Sequence, residues 1–270
     1  MTEPSARNGA ALVTGGARRI GRAICLELAR AGFDVAVHHR SSDADAADLA
    51  REIEGLGRRA VALSADLRDV VETHELIGRA AGALGPLSVL VNNASVFADD
   101  RLDTITGESW SEHLDTNLRA PVLLAQTFAR QAPEGAAIVN ILDQRVLKPD
   151  PRFFSYGLSK AALWHATRTM AQALAPRIRV NGVGPGPTLP SVHQTGEEFA
   201  AEAAAWALFL WTGFIDGELA TTEIGAVKFF CCGLRLIGGA HGDERETAGA
   251  AGHLVHGYIN VSDRTELAKS

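Results

Sequence analysis

Two residues four positions apart, Tyr156 and Lys160 in "YGLSK", are the first pairing in this 270-residue chain that could do chemistry. On a helix that spacing puts both side chains on one face. An ammonium beside a phenol favours the phenolate, so Lys160 is expected to bring Tyr156 below its ordinary pKa of about 10 and make it a usable proton donor. Taken alone, such a pair is more often an exposed contact on an amphipathic helix. A second stretch, "VTGGARRIGRAI" (13–24), offers chemistry of another kind. Gly15 permits an unusual backbone angle, Gly21 permits close helix packing, and the N–H groups exposed at a helix start attract a diphosphate. A glycine pattern by itself says little; between a strand and a helix it becomes informative. Arg18 and Arg19 stand between those glycines, where small residues would let a backbone approach a pyrophosphate.

The elements that must position these residues alternate along the chain. "ALVTG" (11–15) is an apolar strand with little alternation, as expected when both faces are covered. The next segment carries Ile20, Ile24, Leu28 and Ala31 on one face and closes at Gly32. "DVAVHHR" (34–40), "RAVALSADL", "SVLVNNAS", "AAIVNIL" and "RIRVNGVGPG" read as further strands. Between them lie a polar amphipathic helix stopped by Gly55 and Gly57, a helix ending near Gly85-Pro86, a long helix over about 108–131, and a helix over 155–174. This rhythm predicts an α/β fold: a single Rossmann-type, doubly wound parallel sheet with helices on both faces.

The end of the second strand narrows the ligand. An NAD-preferring site places Asp or Glu there to hold the ribose hydroxyls. Here the chain reads His38-His39-Arg40-Ser41, with no carboxylate to repel a 2′-phosphate. Arg40 offers a planar fork of donors and Ser41 a hydroxyl. NADPH is therefore the expected cofactor, and Arg18 and Arg19 add positive charge beside its extra phosphate. The alternative is a solvated basic strand end.

Composition excludes other classes. The net charge is −6, which implies no basic face for nucleic acid. Cys25, Cys231 and Cys232 have no paired spacing, so neither disulfides nor zinc is expected. His253 and His256, three apart, lack a third ligand, and a solvated tail is the better reading. The longest apolar run, "WALFLWTGFI" (206–215), is about half of a bilayer crossing, so no membrane segment is expected. The polar "MTEPSARNGA" has no apolar signal core, and a cytosolic location follows as an expectation.

"TGGARRIG", "ADL" (65–67), "NNAS" (92–95), "TN" (116–117), "YGLSK" (156–160) and "RVNGVGPG" (179–186) together resemble the short-chain dehydrogenase/reductase family, in order and spacing across residues 10–190. The resemblance implies that Tyr156 donates a proton as hydride arrives from the nicotinamide, that Lys160 also grips the nicotinamide ribose, and that Asn117 props open a helix and holds a water for proton relay. Besides the residues already named, it assigns Ile20, Leu67, Asn93, Ala94, Pro185 and Gly186 to the cofactor. It also implies a homo-oligomer, a tetramer in the family.

Most members of that family carry a serine thirteen residues before the tyrosine; here the position is Asp143. A carboxylate would repel a developing alkoxide, so the site suits a ring C=N whose nitrogen must gain a proton better than a simple ketone. With the two arginines, His39-Arg40-Ser41 and "NNASVF", this substitution resembles the pteridine reductase and dihydromonapterin/dihydrofolate reductase subgroup. That likeness implies Arg19 near cofactor phosphates and substrate, Ser95 meeting both, Phe97 stacked on a flat ring, Asp66 holding the adenine, and Asp143 with Tyr156 delivering the proton. A carbonyl reductase and a non-catalytic NADPH binder are the alternatives. Residues 1–240 are expected to form the reductase domain, with a substrate loop about 184–220 that includes a helix near 197–205. "TTEIGAVKFF" (221–230) is a candidate helix, "LRLIGG" (234–239) a candidate last strand, and 241–270 a tail. Residues 206–270 depart from the family pattern. They read as a divergent lid with an assembly segment, as an altered reading frame, or, for Trp206, Phe209 and Trp211, as core.

Overall fold

Four apolar residues, Ala10–Val13, form β1, and all four are buried. Ala10 and Leu12 join one hydrophobic core while Ala11 and Val13 join another. Successive side chains on a strand point to opposite faces, so a strand covered on both sides shows no polar alternation. The same logic builds β2 (Asp34–His39), β4 (Leu87–Asn92), β5 (Ala136–Ile141) and most of β6 (Ile178–Val183), while β3 (Ala60–Ser64), at the sheet edge, buries only Leu63. In this computed structural model the described residues are 8–186, 188, 195–197 and 199–201, with the backbone of Tyr258–Asn260.

The strand order is β3-β2-β1-β4-β5-β6, all parallel, with a seventh strand, β7 (Tyr258–Asn260), beside β6. Helices α1 (Arg19–Arg30) and α2 (Asp43–Gly55) cover one face, where Ile24, Leu28, Leu49 and Ile53 pack on Val13 and Val35. Helix α3 (Val70–Leu84) packs on the other through Leu76 and Ile77. Fully burying one such side chain is worth roughly 1.5–3 kcal/mol, so these two layers supply the main stabilisation.

The single long helix expected over 108–131 is divided. Thr106 and Ser109 form a capping box that starts α4 (Gly107–Leu114). A π-turn at Asp115–Arg119 follows, and then α5 (Ala120–Gln131). Pro121 has no N–H to offer the carbonyl one turn earlier, and the helix widens at that point. Helix α6 (Phe154–Leu174) is tied to the sheet centre by buried amides. Asn92 Nδ2 donates to Asn140 Oδ1 at 2.8 Å, and Asn140 Nδ2 donates to Thr167 Oγ1 of α6 at 2.9 Å. Those bonds fix α6 against β4 and β5 deep in the molecule.

Tyr258–Asn260, inside the segment expected to be a tail, forms β7 and pairs antiparallel with β6. The expected strand 234–239, the helix 221–230, the aromatics Trp206, Phe209 and Trp211, the cysteines at 231 and 232, and the histidines at 253 and 256 lie outside the described residues. Of the helix expected near 197–205, residues 196, 197 and 199–201 are helical and the others fall outside that set. Among the described residues no helix is long and apolar enough to cross a membrane, and no group of three metal-ligating side chains occurs.

Candidate active site

The order of strands reverses direction between β1 and β4, and a cleft of about 370 Å³ opens there at their carboxyl ends. The turn after β1 forms its floor. Gly15 has φ 60°, in the left-handed region. A Cβ on Gly21 would lie 2.1 Å from the Gly15 carbonyl oxygen, so α1 begins against the turn with no room for a side chain. Asn93 Nδ2 donates to the carbonyls of Thr14 and Gly15 at 2.9 and 3.1 Å, clamping the end of β4 to the turn. Thr14 Oγ1 accepts from the N–H groups of Asn93 and Ala94. Asn93 thus lines the cleft while its amide shapes the turn.

Both arginines of the turn line the cleft. Arg18 pairs with Asp45 of α2. Arg19 opens α1 at φ 52°, a backbone angle that glycine adopts readily and other residues seldom do. Arg40, Asp66, Leu67, Ala94 and Ser95 also line it, as do Ile20 and Gly21. The Asp66 carboxyl is held down to about 2, chiefly by its hydrogen bonds from Arg68.

Two residues expected at the cofactor, His39 and Ser41, are not among those lining the cleft. His39 is buried on the opposite face of β2, and its Nδ1 has no partner among the described residues; Ser41 is exposed and outside the cleft wall. Strand alternation is the reason: Val35 and Val37 enter one core and Ala36 the other, and His38 and His39 diverge likewise. His38 is the histidine that lines the cleft. Its Nδ1 accepts from the Gly15 N–H at 3.1 Å and its Nε2 lies 3.0 Å from the Ala65 carbonyl. These two contacts assign the proton to Nε2. Burial pushes this imidazole down to about 4. The sequence shows adjacent histidines; only the strand's register says which one lines the cleft.

Tyr156, Asp143 and Lys160, none of which lines that cleft, come together where the chain leaves β5 and in the first turns of α6. The Tyr156 hydroxyl donates to Asp143 Oδ2 at 2.7 Å. Asp143 also accepts from the Arg145 N–H at 2.8 Å, and the Arg145 guanidinium lies 3.4 Å from Oδ2. Lys160 Nζ is 5.7 Å from the Tyr156 ring centroid and donates to the Ile141 carbonyl at 2.9 Å. The expectation of a depressed phenol is reversed. Burial, then the charge of Asp143, push Tyr156 well above 10, while burial lowers Lys160 to about 8. Helical spacing puts the two side chains on one face, but a carboxylate takes the hydroxyl and a backbone carbonyl takes the ammonium.

Asn117 sits in the π-turn, fully buried. Its amide accepts from Val96 N–H at 2.8 Å and donates to the Val96 carbonyl and to Ser159 Oγ, both at 3.0 Å. Phe97 is stacked on Phe153 with centroids 4.2 Å apart and meets the Tyr156 ring edge-on at 4.7 Å. The Arg145 guanidinium lies 5.5 Å from both stacked rings. Phe153 and Arg145 were not expected here; neither belongs to a motif. Pro185 and Gly186 leave β6 without lining the cleft, and a Cβ on Gly186 would lie 3.1 Å from Gln144 Oε1, just after Asp143.

A dinucleotide suits this cleft on its own geometry. Helix α1 has no side chain capping its first turn, so its N–H groups await an anion. Gly15 and Gly21 leave a cradle that a Cβ would fill. The Thr116 hydroxyl is buried in the wall with no partner among the described residues.

A doubly wound sheet with an anion cradle at its switch point and a Tyr–Lys pair beyond it defines an oxidoreductase. The sequence model of the short chain dehydrogenases matches residues 9–200, and the chain belongs to the short-chain dehydrogenase/reductase family. It is 34% identical over 237 residues to the short-chain dehydrogenase/reductase FrzI of Cladobotryum sp, covering 84% of this chain and 90% of that one. Among solved structures it resembles FolM alternative dihydrofolate reductase 1 from Brucella canis, complexed with NADP. That match has a TM-score of 0.70 and 47% identity, over 73% of this chain and 79% of that one. A short chain dehydrogenase from Burkholderia cenocepacia J2315 in complex with NADP matches with a TM-score of 0.71 and 35% identity, over 86% and 91% of the two chains.

Proposed function

We propose that the protein is an NADPH-dependent reductase that adds hydrogen across a ring C=N of a pterin-type substrate, such as dihydromonapterin, dihydrobiopterin or dihydrofolate. The observation that carries this reading is the 2.7 Å bond from the Tyr156 hydroxyl to Asp143, at the edge of an aromatic stack. The NADP-bound neighbours, and the dihydrofolate reductase named among them at 47% identity, support it. NADPH supplies the hydride. The chain's part is to hold a proton and a flat, amino-substituted ring. Tyr156 stays a neutral phenol because it is buried against a carboxylate, so it keeps a proton to give to the ring nitrogen. Asp143 accepts hydrogen bonds from an amino-substituted ring and tolerates no alkoxide in its place. Arg145 offsets its charge. Phe97 contributes an aromatic face, and Arg19 and Ser95 stand where cofactor and substrate meet. Arg40, at the cleft's other end, would address the 2′-phosphate.

The assay is loss of NADPH absorbance with a dihydropterin, beside a Tyr156→Phe control. Turnover that the substitution abolishes supports the reading. Turnover on ketones but not dihydropterins would favour a carbonyl reductase, and tight NADPH binding without turnover on either would favour a binding protein.

A further inference from the structure

Beside Tyr156 lies a cluster of polar side chains that no motif marks. Asp100, His113 and Ser155 are 4%, 0% and 0% exposed, and none of them lines the cleft. Asp100 Oδ1 accepts from the Ser155 N–H at 2.9 Å, and Oδ2 accepts from the Ser155 hydroxyl. The Ser109 hydroxyl is 3.1 Å from the same Oδ2. With its proton directed at Asp100, Ser155 Oγ can only accept from His113 Nδ1, 2.6 Å away. His113 Nε2 is then the acceptor for the Ala98 N–H at 3.1 Å. A single arrangement of protons satisfies Asp100, Ser155 and His113 together, and it needs a carboxylate at 100 and a neutral imidazole at 113. Burial pushes Asp100 up, but the hydrogen bonds from Ser155 outweigh it and hold the carboxyl below its ordinary value. Burial lowers His113, against the opposing charge of Asp100.

The cluster joins three parts of the fold. Helix α6 starts from Phe153 at φ 56° and has no side-chain cap of its own. Asp100 takes that place from a distant loop. Its carbonyl accepts from the Phe154 N–H at 3.0 Å and its carboxylate from that of Ser155, where the positive end of the helix favours an anion. Tyr156 is the next residue. The same loop carries Phe97, which touches the Tyr156 ring, and α4 carries His113, whose ring centroid lies 6.1 Å from it.

We propose that Asp100, acting through Ser155 and His113, is a positioning residue that locks the Phe97 loop to the first turn of α6 and so sets the direction of the Tyr156 phenol. This deepens the reductase reading and rests on it for the role of Tyr156. Asp100→Asn keeps the shape and turns one acceptor into a donor. The Ser155 hydroxyl then either loses its acceptor or turns to His113, which would have to meet the Ala98 N–H with a proton of its own. One buried bond is lost in both cases. The expected result is a kcat on dihydropterin lowered about tenfold or more, with KM for NADPH held within about twofold, because direction and not binding is disturbed. Ser155→Ala keeps the Asp100 bond to the backbone and should lose less.

A second readout needs no turnover. The chain has two tyrosines, so the Tyr156 phenolate can be followed by alkaline absorbance after subtraction of a Tyr156→Phe spectrum. In Asp100→Asn its midpoint should move down toward the free value of about 10. An Asp100→Asn protein with wild-type kcat and a wild-type Tyr156 titration overturns the proposal. If the wild type turns over no dihydropterin, the reductase reading fails and the titration alone decides this one. Should Asp100→Asn not fold, Ser155→Ala carries both measurements under the same criteria.

Discussion

Asp143 separates this site from the serine pattern of the family it resembles. Its carboxylate accepts the Tyr156 proton bond and is backed by Arg145. A carboxylate there disfavours a developing alkoxide and accommodates a ring that donates hydrogen bonds. Asp143→Ser should therefore shift the ratio of kcat/KM from dihydropterin toward ketone substrates by about tenfold or more, measured with both substrates on one preparation. An unchanged ratio would remove Asp143 from the account of specificity. Arg19 makes the opposite kind of trade. At φ 52° its backbone stores strain of about 1–2 kcal/mol that a glycine would not. Arg19→Gly is expected to raise the melting temperature and weaken NADPH binding together. A variant that binds NADPH more tightly would show that the side chain does nothing for the cofactor.

The glycine turn is an element held from both sides. Asn93 clamps it from β4 and His38 from β2. The neutral form of His38 is the one that can accept from Gly15. Its pKa is about 4 in the fold and about 6.5 when unfolded. Between those values the unfolded chain takes up a proton that the folded chain refuses, so stability falls as pH drops through that window and levels off below it. The loss is on the order of 3 kcal/mol, and buried His113 acts with the same sign. Asp66 behaves differently. Its depressed carboxyl contributes stability above its unfolded value that is lost only as pH falls toward about 2. Urea midpoints measured at pH 7, 5.5 and 4.5 should decline steadily. A flat series would mean that His38 is not buried as a neutral ring. NADPH affinity of the folded protein should hold over that interval and fall only near pH 4, where the folded ring takes up its proton and Nδ1 can no longer receive the Gly15 N–H.

Across the whole molecule, the site is assembled from the ends of β1 to β5 and the first turn of α6, with the Asn92–Asn140–Thr167 bonds keeping sheet and helix in register. Helices α4, α5 and α6 leave Trp110, Val122 and Leu158 about two-fifths exposed, at 42%, 39% and 42%. We propose that these exposed side chains are covered by other copies of the chain in a homo-oligomer, which the family resemblance implies is a tetramer. Light scattering should then give the mass of four chains, and a monomer in solution would refute it.

The architecture was legible in the chain because it rests on local rules. Apolar runs without alternation become doubly covered strands, 3.6-residue periods become helices, and a glycine at the strand–helix junction makes an anion cradle. Gly15, Gly21, Arg40, Tyr156 and Lys160 could be picked out this way, whereas Asp143 was reached only through the family resemblance. Other properties depend on what lies next to a residue in space, which spacing along the chain does not encode. The register of β2 put His38 and not His39 at the cleft. Burial against Asp143 raised the Tyr156 phenol that Lys160 alone would have lowered. Asp100 caps a helix more than fifty residues away in sequence, as its bond to Ser155 shows. Electrostatics and capping are summed over neighbours in three dimensions, and only the folded arrangement decides who those neighbours are.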